Sequence, residues 1–265
     1  MKLAFWRKKK PAPKAAAPEQ VVVTDPRLIG LRTDILPMCV RTYNQDGLAT
    51  LHNTAFAFEP DFSAAYAAAV DTGSWGGADI HWRAHVICWA ARLATGLEGD
   101  FVECGTNRGG TAMLVVKYLG SLLHDRQIFL FDTFQGLDQS VSTADEMTRL
   151  TGHYVECYEE TAARFSPFPN VKAIRGMVPE VLRTSAPEKI AFLHIDLNAA
   201  EPERAAIEML WPRLSPGAPV VFDDYAWVAC QNQKNALDEF AALAGVRILS
   251  LPTGQGLLFK PAQKR

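Results

Sequence analysis

Asp196 closes the apolar run Ile190-Ala-Phe-Leu-His-Ile195, and the pair Asp223-Asp224 closes Pro219-Val-Val-Phe222. If the two runs are neighbouring parallel strands, three carboxylates converge at one edge of a sheet. Like charges held that close repel and shift one another's pKa, and the usual relief is a shared proton or a bound divalent cation. The expectation is a metal site of Asp196, Asp223 and Asp224. With oxygen ligands alone the ion is Mg²⁺ or Ca²⁺ rather than zinc. A single Asp at such a place could merely cap the segment after it, but three acids ending two neighbouring strands are harder to explain that way.

A second cluster lies earlier. Phe101-Val-Glu-Cys-Gly-Thr-Asn-Arg-Gly-Gly110 puts glycines between a strand and a helix, where backbone N–H groups can meet a ligand's oxygens. Gly105 and Gly110 fit the first and third glycines of a dinucleotide loop, but Asn107 stands in the middle position, and its side chain hinders the close approach of a pyrophosphate. S-adenosylmethionine carries no phosphate, so a loop that turns Glu103 and nearby amides toward an amino-acid moiety suits it better. Asp132, at the end of the next strand, is expected to accept both ribose hydroxyls. A short-chain dehydrogenase would need Lys four residues after a Tyr, and none of the six tyrosines has one.

The elements that would position these residues alternate. Strands are expected at Phe101–Cys104, Gln127–Asp132, Val171–Ile174, Lys189–Asp196 and Pro219–Phe222, with helices at Gly110–Leu119, about Pro202–Leu214 and about Gln231–Ala244. Val246–Leu251 and Gly256–Lys260 read as a closing hairpin. That order makes an α/β fold with a mostly parallel sheet, helices on both faces, an antiparallel hairpin at its edge and ligands beyond the strands' carboxyl ends. Residues 136–168 are a polar insertion, too long for a plain connection, and are expected to lie over the site as a lid. Residues 21–98 form a helical or irregular extension packing on the core, with helices near Phe62–Val70 and Ile80–Leu97. Val21 to Gly47 shows no sustained period.

The 265 residues are 48% hydrophobic, enough for a full core, and carry a net charge of −2. Residues 1–20 hold six Lys/Arg against Glu19, a net +5, so the rest of the chain carries −7. An acidic body argues against a nucleic-acid surface. The basic, Pro/Ala-rich tail reads as a disordered extension; Phe5 and Trp6 beside four cations could instead touch an anionic membrane surface. The tail's order is unlike a signal peptide, and no apolar run approaches the ~20 residues a membrane span needs. Five cysteines without C-x-x-C spacing suit a reducing cytoplasm and free thiols.

In Gly99-Asp-Phe-Val-Glu-Cys-Gly-Thr-Asn-Arg-Gly-Gly110, Phe131-Asp-Thr-Phe-Gln-Gly-Leu137, Arg175-Gly-Met177, His194-Ile-Asp-Leu-Asn198, Leu214-Ser-Pro-Gly217 and Asp223-Asp-Tyr225, the chain resembles the macrocin O-methyltransferase family of class I S-adenosylmethionine-dependent enzymes. The resemblance spans roughly residues 80–260. It implies a Rossmann-like, seven-stranded class I methyltransferase sheet over 99–265, a magnesium-type ion on Asp196, Asp223 and Asp224, a sugar or similar polyol acceptor, and a homo-oligomer. Cofactor contacts are then expected at Glu103, Gly105, Thr106, Asn107, Gly109, Asp132, Phe134, Gly176 and Met177. Family members often follow the strand Asp with a second acid or a Tyr-containing turn; here Leu197-Asn198-Ala-Ala-Glu201 follows, which bears on the acceptor.

Methyl transfer to an alcohol requires the hydroxyl to lose its proton during attack. A divalent ion holding two vicinal hydroxyls would lower the alcohol pKa and orient one oxygen. Asp196 is then both metal ligand and general base, and His194, on the same strand face, is the alternative base. His81 and His85 read as structural. Tyr225 and Trp227 would wall the acceptor pocket or simply pack. Two other readings use the same residues: a metal-dependent hydrolase built on the Asp cluster, and a noncatalytic Rossmann-like binding module.

Overall fold

The computed structural model describes residues 41–150 and 152–262, all within one unit, Asp34–Arg265; the basic tail and residues 21–40 lie outside the described residues. The first described element is a hairpin of β1 (Tyr43–Gln45) and β2 (Leu48–Thr50), where no period is evident in the sequence. The signal was the dipeptide Asp46-Gly47, whose φ values of 52° and 70° suit a tight two-residue hairpin turn.

The apolar runs form one seven-stranded sheet: β3 (Asp100–Cys104), β4 (Ile128–Asp132), β5 (Val171–Arg175), β6 (Ile190–Ile195), β7 (Pro219–Phe222), β8 (Leu249–Ser250) and β9 (Gly256–Phe259). Its order is β5-β4-β3-β6-β7-β9-β8. β3 to β7 pair in parallel, while β9 runs antiparallel to both β7 and β8. The terminal hairpin therefore inserts its second strand beside β7 and leaves β8 at the edge. β8 is shorter than the run Val246–Leu251, because Leu249 and Ser250 alone face β9.

The strands alternate between two cores. Phe101, Leu130, Phe192 and Val221 pack under the helices Pro60–Val70, His81–Ala94 and Gly110–Leu119. Val102, Phe131, Leu193 and Val220 pack under Ala200–Leu210 and Gln231–Ala244. β6 is buried at all six positions, as a central strand covered on both faces must be. Each of its Ile, Leu and Phe side chains gains about 1.5–3 kcal/mol by leaving water, so the strand ends that carry the acids are held rigidly. Among the described residues no helix is long and apolar enough to cross a membrane.

The ladder runs on past the strand ends. The amides of Gly105, Asp196 and Asp223 donate to Phe131, Cys104 and Ile195 carbonyls at 2.8, 2.8 and 3.0 Å. Asp132, Gly105, Asp196 and Asp223 thus stand side by side at the carboxyl edge, astride the point where strand order reverses between β3 and β6. That is where open α/β sheets bind ligands.

Candidate functional site

A solvent-open cleft lies over this edge, its enclosed part about 140 Å³. Glu103, Gly105, Thr106, Asn107, Asp132, Phe134, Gly176 and Met177 all line it, as does Asp196. Gly109 does not. It caps the helix Gly110–Leu119 at φ +84° with the Phe165 ring packed on its α-carbon, so it shapes the loop without touching the cleft. Gly105 is needed outright: at φ +88°, a Cβ there would lie 1.8 Å from the Asp196 carbonyl oxygen.

Asp132 departs from its expected role. Its Oδ2 accepts the amide N–H groups of Thr106 and Asn107, both at 2.6 Å, and its Oδ1 accepts that of Phe134 at 2.6 Å. The Thr133 hydroxyl reaches Oδ1 as well, at 3.4 Å, so the carboxylate's about four lone-pair positions are all engaged within the chain, and a ligand hydroxyl would have to take the place of that long Thr133 contact. Asp132 is chiefly the clamp that ties the glycine loop to the end of β4. Two other buried groups lining the cleft have no partner among the described residues: Glu103 Oε2 and Thr106 Oγ1. Orphaned buried polar atoms are costly unless a ligand or water meets them. A carboxylate oxygen and a hydroxyl facing one cavity fit the ammonium and hydroxyl groups of an adenosyl amino-acid cofactor.

His194 is not placed as a base. It lies between β3 and β7, outside the cleft, with Nδ1 3.1 Å from Glu103 Oε1 and Nε2 3.5 Å from Asp223 Oδ1. Burial alone would lower its pKa, but the hydrogen bonds and charges of Asp223 and Glu103 outweigh that and push it up to about 10. A protonated imidazole cannot accept the acceptor's proton; it joins Glu103 to Asp223. Asp196, by contrast, lines the cleft and receives Asn198 Nδ2 on Oδ1 at 2.8 Å. Burial, then the charges of Asp223 and Asp224, raise its pKa well above the ordinary carboxylate range.

The metal site expected from the three aspartates is not assembled. Asp223 Oδ2 accepts Arg83 Nη1 at 2.5 Å and Oδ1 accepts Gln255 Nε2 at 2.9 Å; Asp224 Oδ1 lies 3.2 Å from the same Nη1. Among the described residues no three acids, cysteines or histidines are arranged to hold an ion. Burial would raise Asp223's pKa, yet Arg83, His194 and Gln255 hold it well below the usual carboxylate range. Arg83 could have been suspected from sequence. In His81–Ala94 it shares the buried stripe with Ile87, Ala90 and Ala94, a cation where the helical period demands an apolar residue.

From residues 136–168, Gly136, Asp138, Val141, Tyr154 and Val155 contribute to the cleft wall. The insertion holds the helices Ala144–Leu150 and Tyr158–Phe165 and is pinned at both ends. Glu146 Oε1 accepts the Ala200 amide at 2.9 Å, and the Cys157 amide donates to the Phe134 carbonyl at 3.0 Å. Ser74 and Trp75, from the break between the first two helices, close the opposite wall. Tyr225 and Trp227 stay out of it. Tyr225 bonds Asp238 at 2.5 Å, and Trp227 lies under Arg83 at 5.3 Å. His81 and His85 stack on Tyr66 and Phe56 at 3.9 and 4.0 Å, a packing role.

Comparison with known proteins bears on what this cleft serves. The chain is 30% identical over 158 residues to 8-demethyl-8-(2,3-dimethoxy-alpha-L-rhamnosyl)-tetracenomycin-C 4'-O-methyltransferase of Streptomyces olivaceus, covering 55% of this chain and 60% of that one. It is 27% identical over 172 residues to Mycinamicin III 3''-O-methyltransferase of Micromonospora griseorubida, covering 60% of this chain and 66% of the relative. The chain thus spans less than two thirds of the length of these curated relatives. The solved O-methyltransferase NovP shares the fold at a TM-score of 0.60 and 23% identity, over 68% of this chain and 80% of that chain. Residues 71–248 match the family described as Macrocin-O-methyltransferase (TylF). That match runs from the break before the helix His81–Ala94 to the residue before β8 and takes in β3 to β7 with the whole cleft, so the chain belongs to the macrocin O-methyltransferase (TylF) family.

Proposed function

We propose that the protein transfers a methyl group from S-adenosylmethionine to a hydroxyl of a sugar or glycosylated small molecule, with Asp196 as general base. The observation that carries this reading is the shared cleft: Glu103 Oε2 and Thr106 Oγ1 without partners at the end of β3, and Asp196 lining the same space at the neighbouring end of β6. When bound, S-adenosylmethionine supplies an electrophilic methyl on a sulfonium. Glu103 and Thr106 would hold its amino-acid portion, Asp132 one ribose hydroxyl, and Phe134 and Met177 the adenosyl portion.

Asp196 takes the proton of the acceptor hydroxyl. Its raised pKa makes it a stronger base than an ordinary carboxylate, and Asn198 fixes its orientation. Tyr154, whose hydroxyl burial and then Asp196, Asp224 and Asp132 keep neutral, borders the same end of the cleft. The residues that surround Asp223 do not fit a divalent ion. A saccharide acceptor is in keeping with the rhamnosyl compound named for the Streptomyces olivaceus relative. A cytoplasmic setting is in keeping with the four cysteines among the described residues being buried and free, and a homo-oligomer with the family.

Incubation with methyl-tritiated cofactor and a panel of glycosides and their aglycones tests the reading. Label is expected in the glycosides; label in the aglycones alone contradicts it. The cofactor contacts are tested by Asp132→Asn. Its amide NH₂ must face at least one of the N–H groups that Asp132 now accepts, at a cost of about 1–3 kcal/mol. Affinity for S-adenosylhomocysteine should fall ~10–100-fold by calorimetry, and unchanged affinity would show that the cofactor lies elsewhere.

A further inference from the structure

Arg83 has no counterpart in the chemistry proposed above, yet among the described residues it is the cation that reaches the most acids. Its side chain is 9% exposed and reaches three acids: Nη1 to Asp223 at 2.5 Å and to Asp224 at 3.2 Å, and Nε and Nη2 to the two oxygens of Asp46 at 3.0 and 3.2 Å. The Asp46 contact is a two-pronged fork, which only a guanidinium makes. Trp227 lies against its other side, 5.3 Å from ring centroid to Cζ. Although burial favours the neutral form, Asp223, Asp224 and Asp46 keep Arg83 charged.

Asp223 is approached by nitrogen groups besides Arg83. Gln255, fully buried, is pinned by Thr253 Oγ1 donating to its Oε1 at 2.9 Å, so its amide nitrogen must point at Asp223. The His194 imidazole stands 3.5 Å from the same carboxylate oxygen. A metal ligand needs lone pairs directed at the ion, and a divalent cation arriving here would meet a guanidinium and an amide N–H₂. Asp224 shares one of its oxygens with Arg83 as well.

We infer that Arg83 is a built-in counter-cation that occupies the place of the divalent ion at Asp223 and Asp224, so that this chain holds no metal at its aspartate cluster. The acids then have a different purpose. Asp223 and Asp224 anchor Arg83, and Arg83 anchors the β1–β2 turn through Asp46, whose neighbour Gly47 packs so closely on Trp227 that a Cβ would lie 3.0 Å from the indole. Arg83 is a positioning residue that couples the hairpin to the carboxyl edge of the sheet. The inference concerns the site assigned under the proposed function, but its readout does not depend on methyl transfer.

Binding of Mn²⁺ to the full-length protein, followed by electron paramagnetic resonance with Mg²⁺ as competitor, decides the matter. The wild-type chain is expected to show no saturable binding up to ~1 mM Mn²⁺. Arg83→Met leaves Asp46, Asp223 and Asp224 without their cation and is expected to create a site at least ~30-fold tighter, abolished by a further Asp223→Asn. Saturable, Mg²⁺-competed binding of one Mn²⁺ by the wild type overturns the inference whether or not the variant folds. A folded Arg83→Met protein that gains no Mn²⁺ site overturns it as well. Either failure leaves the cofactor-binding and methyl-labelling tests untouched.

Discussion

Gly105→Ala is expected to destroy the cofactor end of the cleft and most of the protein's stability. A methyl there would sit 1.8 Å from the carbonyl oxygen and 2.4 Å from the carbonyl carbon of Asp196, and both are backbone atoms held by the β3–β6 ladder. No rotamer change relieves such a contact, so β3 and β6 must separate at their carboxyl ends or the chain must leave φ +88°. Losses of ~4 kcal/mol or more follow from that kind of overpacking with backbone strain. Gly245→Ala is the control: its backbone is also left-handed, at φ +67° and ψ 31°, but nothing lies within 4 Å of the added atom. It should cost only the conformational penalty of ~1–2 kcal/mol. Thermal unfolding of the two variants measures the contrast, and equal melting temperatures would show that the close approach of Gly105 to Asp196 is absent in solution.

Asp196→Asn keeps the shape of the side chain and removes its basicity. Methyl transfer should fall ~10²–10⁴-fold, the usual contribution of a positioned base, or ~3–5 kcal/mol of barrier. Affinity for S-adenosylhomocysteine should stay within a factor of ~3, because Glu103, Thr106 and Asp132 are intact. The wild-type rate should also rise with pH. Asp196 must be ionised to accept a proton, and burial with the charges of Asp223 and Asp224 places that ionisation above the usual carboxylate range. The acidic limb of the profile therefore lies higher than for an exposed Asp, and it should vanish in Asp196→Asn.

The protonation of His194 has a stability consequence of opposite direction. Its pKa is raised from 6.5 to about 10 in the folded protein, so the folded state holds the proton more tightly than the unfolded chain. That stabilisation is fully present below the unfolded value and is lost as pH climbs through the folded one.

Much of this architecture was legible because strand identity and strand adjacency are local signals. The six-residue apolar run of β6 and the four-residue run of β7 announced buried parallel strands, and parallel pairing carries their terminal acids to one edge. The glycine loop and Asp132 were likewise readable from their places after β3 and β4. What Asp132 does with its oxygens was not, since it depends on Phe134 adopting φ +56° and turning its amide back. The pairing of Arg83 with Asp223 joins residues 140 positions apart, and no spacing rule reaches that far. His194 misled for a related reason. Its strand face was correctly read, but the acids on β3 and after β7 that flank it are set by the strand order, and they favour its protonated form over that of a base. The β1–β2 turn was different: Asp46-Gly47 is a strong hairpin signal, hidden by the short strands on either side.

The most direct test of the central claim pairs two measurements on the same preparations of wild type and Asp196→Asn: calorimetric binding of S-adenosylhomocysteine and single-turnover methyl transfer to a labelled glycoside. The account predicts one binding site of nearly equal affinity in both proteins, with transfer reduced at least ~100-fold in the variant. Undiminished transfer in Asp196→Asn, or no binding to the wild type at millimolar ligand, would contradict it.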